Sequence, residues 1–202
     1  WDEAQRLVMD SFAGFDPQMA DLAAPFFARN WIDAAPRAGK SSGAFSHPVT
    51  PSAHPYILMN FSGKSRDVMT LAHEMGHGIH QRLAADRGYL MSDTPLTLAE
   101  TASVFAEMLA FRRLVDSTDD TGTRRRLLAG KVEDMLNTVV RQVAFHNFET
   151  RLHEARRTAE LTADEISDIW MDTQRAALGP AVRTGDDYRP IWGYIPHFVH
   201  TP

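Results

Sequence analysis

Two histidines four residues apart, His73 and His77, flank Glu74 in the sequence His-Glu-Met-Gly-His. Residues four apart on a helix point the same way, so both imidazoles can bind one metal ion. A neighbouring carboxylate can accept a proton from a water molecule on that metal. The H-E-x-x-H pattern is typical of zinc hydrolases, and it predicts metal-assisted hydrolysis with Glu74 as the general base.

The residues around this motif predict a helix over 67–85. Its apolar residues recur at spacings of three and four, and the motif's polar residues lie off that stripe. Ser65 or Asp67 is a candidate cap for the start of the helix. Gly76 and Gly78 lie inside it, where each costs about 1 kcal/mol relative to alanine. We therefore expect another element to approach the helix closely at these glycines.

A catalytic zinc usually has three protein ligands, and Glu100 is the next candidate along the chain. It lies in a second predicted helix that runs to about residue 115, with Ser103 and Glu107 on the same face. Glu107 is placed to orient a ligand histidine through its ring N–H. The alternative is a capping box from Thr97 to Glu100, in which Glu100 closes the helix N-terminus. The spacing alone leaves both interpretations open.

Further short motifs lie before and after the H-E-x-x-H helix along the chain. They are Gly-Lys-Ser-Ser-Gly-Ala-Phe-Ser at 39–46, Pro-Tyr-Ile-Leu-Met-Asn-Phe at 55–61, Glu-Thr-Ala-Ser at 100–103, Phe-Glu at 148–149 and Ile-Pro-His-Phe at 195–198. Together with Thr-Leu-Ala-His-Glu-Met-Gly-His at 70–77, they resemble the oligoendopeptidase F family of thimet-oligopeptidase-like zinc metallopeptidases. The resemblance runs from about residue 37 to the end of the chain.

This resemblance implies a mainly α fold, a helical zincin-type catalytic core with a small β-hairpin or sheet near the zinc helix. It implies Zn²⁺ as the cofactor, Glu100 as the third ligand and short peptides as substrates of an endopeptidase. It also places the substrate backbone along Gly43, Ala44 and Phe45, because an edge strand can bind an extended peptide through main-chain hydrogen bonds. A simple structural hairpin is the alternative for that segment.

Two histidines near the end of the chain are candidates for contact with the reacting peptide. His197 is the candidate donor to the tetrahedral oxyanion, and His200 is the second candidate and a substrate-binding residue. Family members continue with closely spaced tyrosines, whereas here no tyrosine follows Tyr194. They also carry an N-terminal helical portion. We therefore expect residues 1–202 to be one partial catalytic domain of a larger enzyme, or a shortened relative.

Three other functions remain open at this stage. One is a related zinc carboxypeptidase or dipeptidyl carboxypeptidase. Another is a non-catalytic, zinc-stabilised module that binds peptides, which would have no need of Glu74 as a base. The third is a metal-free helical interaction domain with surface histidines.

The composition predicts a cytoplasmic globular protein. A formal net charge of −5 without a long basic run argues against nucleic acid as the main partner. The sequence has no cysteine, no apolar run long enough to cross a membrane and no visible signal peptide. Nothing in the sequence indicates an oligomeric state. The predicted helices span 1–15, 17–33, 67–85, 98–115, 124–158 and 162–179, and the predicted strands lie near 43–46 and over 56–61.

Overall fold

The computed structural model of the chain describes residues 1–195 and 198, apart from the side chain of Leu96. Within these residues the chain forms six α-helices and three short strands. They are α1 (Asp2–Phe15), α2 (Pro17–Ala28), β1 (Ile32–Asp33), β2 (Phe45–His47), β3 (Tyr56–Leu58), α3 (Ser65–Ala84), α4 (Leu96–Asp116), α5 (Thr121–Arg156) and α6 (Ala163–Leu178). Two 3₁₀ segments cover Ala85–Arg87 and Asp186–Tyr194. The expected mainly α fold with a small sheet is confirmed.

The chain divides into two compact units, Trp1–Arg124 and Arg125–Pro202. The first unit has an apolar core built from α1 to α4 and the sheet. The second unit has its own core, in which Phe148 and Trp170 pack edge to face with ring centroids 5.2 Å apart. A single partial catalytic domain over residues 1–202 stays a prediction.

The sheet has three strands in the order β1-β3-β2, where the sequence predicted two. β1 pairs with β3 in parallel, and β2 pairs with β3 antiparallel. The predicted helix over 17–33 is wrong at its end, because α2 stops at Ala28 and Asn30 adopts a left-handed φ of 57°. This turn sends Ile32 and Asp33 along β3 instead of continuing the helix.

The cap at the start of α3 differs from the prediction. The N-cap residue is Lys64, and neither Ser65 nor Asp67 holds that position. Asp67 lies three residues inside, where its carboxylate accepts from the main-chain N–H groups of Ser62 (2.7 Å) and Lys64 (3.0 Å). The carboxylate thus satisfies a donor that the helix leaves without an intrahelical partner, and its charge complements the helix dipole.

Helices α3 and α4 approach each other closely at Gly76. A Cβ atom on Gly76 would lie 2.6 Å from the carbonyl oxygen of Ala102 and 2.7 Å from the Cα of Ser103. A Cβ atom on Gly78 would lie 2.6 Å from the buried ring of Phe26. The close approach expected at these two glycines is therefore present.

Small residues on α4 make this approach possible. Ser103, Ala106 and Ala110 are fully buried on the side of the contact, whereas Val104 and Phe105 remain partly exposed. The two larger residues lie away from the contact because a helix that packs backbone to backbone buries small side chains at the crossing.

The middle of α5 has a different environment. Phe148 is fully buried near the end of the helix, but a stripe of apolar residues nearer its start is exposed. This stripe consists of Leu128, Val132, Met135, Leu136, Val139 and Val143. Apolar residues at helical spacing therefore do not form a buried face in this part of α5. Among the described residues, none of the helices has the length and apolar content needed to cross a bilayer.

Candidate metal centre

Three side chains predicted as metal ligands converge in the structure. His73 and His77 come from consecutive turns of α3, and Glu100 comes from the first turns of α4. Glu100 Oε2 lies 3.1 Å from His73 Nε2 and 3.6 Å from His77 Nε2. One ligand atom from each residue falls within 4.8 Å of the others, so one cation can reach all three.

The Glu100 carboxylate faces the histidines and does not cap the helix. α4 begins at Leu96, with Pro95 at the N-cap position and no side-chain capping bond. The alternative of a capping box from Thr97 to Glu100 is therefore wrong. Instead, the fully buried Ser103 donates from its hydroxyl to Glu100 Oε2 at 2.8 Å, which fixes the direction of the carboxylate.

Glu107 lies behind His73, as expected from its spacing along α4. Its Oε2 is 3.2 Å from His73 Nδ1. With a metal ion on Nε2, Nδ1 would be the ring nitrogen that carries the proton and donates it to Glu107. A carboxylate in this position orients a ligand imidazole and makes it a better electron donor.

The electrostatics of the cluster favour a positive charge between these side chains. Burial lowers the pKa of the His73 imidazole, but hydrogen bonds to Glu100 and Glu107 outweigh burial and raise it to about 9. Hydrogen bonds from His73 and His77 in turn hold the pKa of Glu100 well below its usual range, with Ser103 adding to the effect. A site that stabilises a proton in this way also suits a cation.

Glu74 is buried beside the cluster with unused hydrogen-bonding capacity. Its Oε2 atom has no hydrogen-bond partner among the described residues. Burial raises the pKa of this carboxyl, while the nearby His73 and His77 and the main chain of Ser46 act in the opposite direction. A buried carboxylate with an unsatisfied oxygen is placed to accept a proton from a ligand in the site.

The donor set fits a catalytic zinc ion. Two imidazoles and one carboxylate make up the three-ligand set of many catalytic zinc sites, which leave a position open for water. The Glu100 side chain is 58% exposed, so the cluster is accessible from solvent. The orphaned Glu74 oxygen lies on a neighbouring residue of α3, where a water molecule in the open position could satisfy it.

The segment expected to bind peptide backbone, Gly43 to Phe45, leads into the edge strand β2. Asn60 holds its start by donating to the carbonyl groups of Ser41 (3.0 Å) and Gly43 (3.2 Å). Phe45 is half exposed, and Ala44 is partly buried against the core of the first unit. The segment is therefore anchored to Asn60, just after β3, and its contact with substrate stays a prediction.

Sequence reasoning gave no role to Ser103, Ser46 or Gln81. Ser103 lies three residues after Glu100 on the same helix face, which was a usable signal for a contact. Gln81 lies one turn beyond His77 on α3, and its amide meets Ser46 across a separation of 35 residues. No local pattern encodes that pairing. His197 and His200 lie outside the described residues, so their assigned roles stay predictions.

Comparisons with known proteins agree with this architecture. The model of peptidase family M3 matches residues 17–201. The chromosomal oligoendopeptidase F of Lactococcus lactis subsp. cremoris is 29% identical over 202 residues, which cover 99% of this chain and 33% of that protein. An oligoendopeptidase F homolog of Lactococcus lactis subsp. lactis is 31% identical over 176 residues, which cover 86% of this chain and 29% of that protein.

A solved structure supports the fold independently. PZ peptidase A, determined with an inhibitor, aligns with a TM-score of 0.79 at 20% identity, covering 97% of this chain and 34% of that one. The chain thus spans about a third of the length of the curated relatives it matches. Because the family model matches most of its residues, the chain belongs to peptidase family M3.

Proposed function

We propose that this chain carries the catalytic centre of a zinc-dependent endopeptidase that hydrolyses short peptides. The observation that carries the proposal is the convergence of His73 Nε2, His77 Nε2 and Glu100 Oε2 beside the buried carboxylate of Glu74. Similarity to oligoendopeptidase F proteins supports the peptide substrate class.

The three converging side chains, His73, His77 and Glu100, hold the metal. When bound, zinc supplies a Lewis acid that polarises the scissile carbonyl group and increases the acidity of water. Glu107 keeps the His73 ring in one orientation through the contact at Nδ1. Ser103 does the same for the Glu100 carboxylate.

Glu74 is the general base in this proposal. Burial raises the pKa of its carboxyl, which makes it a better proton acceptor. Its free Oε2 accepts the proton of the attacking water and later passes it to the leaving amine. His197 is retained as the donor to the tetrahedral oxyanion, with His200 as the second candidate and as a substrate contact.

The substrate backbone runs along the segment from Gly43 to Phe45 in this proposal. Main-chain pairing is largely indifferent to side chains, which suits an enzyme that acts on varied short peptides. The cytoplasmic location expected from the sequence is part of the same proposal.

The experiment compares the intact protein with its Glu74→Gln variant. Both are loaded with zinc, assayed for metal content and incubated with a peptide blocked by N-terminal acetylation and C-terminal amidation. We expect equal zinc content but at least about a hundredfold lower turnover in the variant, because general base catalysis is worth about 10² to 10⁴ in rate.

Glu133→Gln is the matched control, since Glu133 is an exposed glutamate on α5. It should leave turnover unchanged. Near-normal turnover in Glu74→Gln would rule out the assigned base. Cleavage of peptides with a free C-terminus, but not of the amidated peptide, would favour the carboxypeptidase alternative. Zinc binding without any hydrolysis by the unmodified protein would favour the peptide-binding module.

A further inference from the structure

The free edge of β2 faces α3, the helix that carries His73 and His77. In β3, the main-chain N–H groups of Ile57 and Met59 donate to Trp31 and Asp33 at 2.9 and 3.0 Å, on the side of β1. Successive residues of a strand direct their main-chain groups to opposite edges, so Leu58 directs its groups toward β2.

The same alternation fixes which groups of β2 are free to bind elsewhere. Phe45 pairs with Leu58, and His47 pairs with Tyr56. Between them, Ser46 directs its main-chain N–H and carbonyl away from β3, toward the unpaired edge. Ala44 directly precedes β2, and continuation of the same alternation places its main-chain groups on the unpaired edge.

Gln81 of α3 occupies this edge at Ser46. Its Nε2 donates to the Ser46 carbonyl oxygen at 3.1 Å, and its Oε1 accepts from the Ser46 hydroxyl at 2.8 Å. Both groups are partly buried, which strengthens the interaction relative to water. Gln81 lies one helical turn after His77, so the residue that holds the strand shares a helix face with the metal ligands.

Ser46 of the edge strand thus makes two hydrogen bonds to the same residue of α3. Movement of β2 away from α3 would break both together.

We propose that Gln81 is a positioning residue that clamps Ser46 to the zinc helix and holds the free edge at Ala44 at a fixed distance from the metal ligands. The proposal rests on the proposed function, because the edge at Ala44 is where the substrate backbone pairs. Since Gln81 already binds the Ser46 carbonyl, pairing of an extended peptide with β2 stops at Ala44. Gln81 thereby sets how far the substrate runs along the strand.

The test uses Gln81→Leu, which removes both hydrogen bonds at similar side-chain size, and Ser46→Ala, which removes one of them. The first readout is amide hydrogen exchange over residues 44–48 in the zinc-loaded protein. The loss of two net hydrogen bonds should accelerate exchange about tenfold or more in Gln81→Leu, and less in Ser46→Ala. The exposed Gln142→Leu on α5 is the matched control and should leave exchange unchanged.

Metal affinity and steady-state kinetics complete the test. In Gln81→Leu we expect zinc affinity to change by less than about twofold, because the ligands remain in place, and KM for a blocked peptide to rise about tenfold. A purely structural role would lower the yield of folded enzyme without raising KM. Unchanged exchange over residues 44–48, or faster exchange with unchanged KM, would overturn the proposal.

Two further outcomes remain interpretable. If Gln81→Leu does not fold, Ser46→Ala decides through the same exchange and KM measurements. If the unmodified protein cleaves no peptide, the proposed function fails, and so does the substrate-positioning part of this inference. The exchange measurement then still decides whether the clamp between Gln81 and Ser46 exists.

Discussion

The α3–α4 contact and the middle of α5 are two apolar helix surfaces with opposite environments. At the first, Gly76 brings two backbones together, and Ser103 and Ala106 beside it are fully buried. At the second, a stripe that includes Leu136 and Val139 is 63% and 64% exposed. Apolar spacing is similar in both, so spacing alone does not distinguish a surface that is buried from one that is open.

The two surfaces also differ in whether they hold the metal-ligand side chains in place. Close packing of α3 against α4 sets the distance between the histidines on one helix and Glu100 on the other. A small displacement of either backbone therefore changes the distances between the three metal-ligand side chains. The exposed stripe on α5 positions no predicted ligand, so changes there should leave the metal centre intact.

The largest expected effect follows from removing the one ligand that α4 contributes. Glu100→Gln should lower zinc affinity by at least about a hundredfold, because an amide oxygen is a much weaker ligand than a carboxylate and even outer residues cost about 10- to 100-fold. Competition with a chromophoric chelator measures the affinity. The exposed Glu160→Gln provides a matched control, and equal losses in both variants would contradict the assignment of Glu100.

The next test compares one substitution on each surface. Leu71 of α3 is fully buried, and Leu136 of α5 is 63% exposed. Leu71→Ala should lower the free energy of unfolding by about 2–5 kcal/mol, since it removes contacts and leaves a cavity. Leu136→Ala should change it by no more than about 0.5 kcal/mol. Denaturant titration measures both, and similar losses would show that the α5 stripe is buried in solution.

A third test uses matched glycines. Gly76→Ala places a methyl group against the backbone of α4, so it should lower the free energy of unfolding by about 1–3 kcal/mol and displace Glu100 from the histidines. In Gly130→Ala on α5, the added methyl group has no atom within 4 Å. This substitution should raise the free energy of unfolding by about 0.5–1 kcal/mol through helix propensity. Thermal unfolding and zinc titration report the two effects. Stabilisation by both substitutions would contradict the close contact at Gly76.

The smallest expected effect concerns the hydroxyl that orients Glu100. Ser103→Ala removes the 2.8 Å hydrogen bond to Oε2 and should lower zinc affinity about tenfold, while the three ligands remain. Ser117→Ala, near the other end of the same helix, should leave affinity unchanged. The same chelator competition measures this pair. An unaltered affinity in Ser103→Ala would show that α4 packing alone orients Glu100.

Local patterns predicted all six helices but not every helix end, since the predicted helix over 17–33 stops at Ala28. The apolar spacing predicted α3 to within two residues at each end. The predicted helix over 162–179 starts within one residue of α6, which a capping box between Thr162 and Glu165 opens. β1 was missed because it has two residues and exists only through pairing with β3, distant in the sequence. A strand that short carries no periodic signal of its own.

The site could be predicted only in part for the same reason. His73, Glu74 and His77 lie within five residues of one helix, so their spacing is sufficient to group them. Glu100 satisfies the requirements of a helix cap and of a ligand equally well in sequence, and only the contact between α3 and α4 separates these interpretations. Gln81 bonds Ser46 of β2, 35 residues earlier in the chain, and no local spacing predicts this contact.

The most direct test of the central claim is anomalous diffraction on zinc-soaked crystals of the chain, collected on both sides of the zinc absorption edge. The metal centre described above predicts one strong peak at about 2.0–2.2 Å from His73 Nε2, His77 Nε2 and a carboxylate oxygen of Glu100. A zinc peak bound elsewhere, or no peak with Glu100 turned away from the histidines, would contradict it.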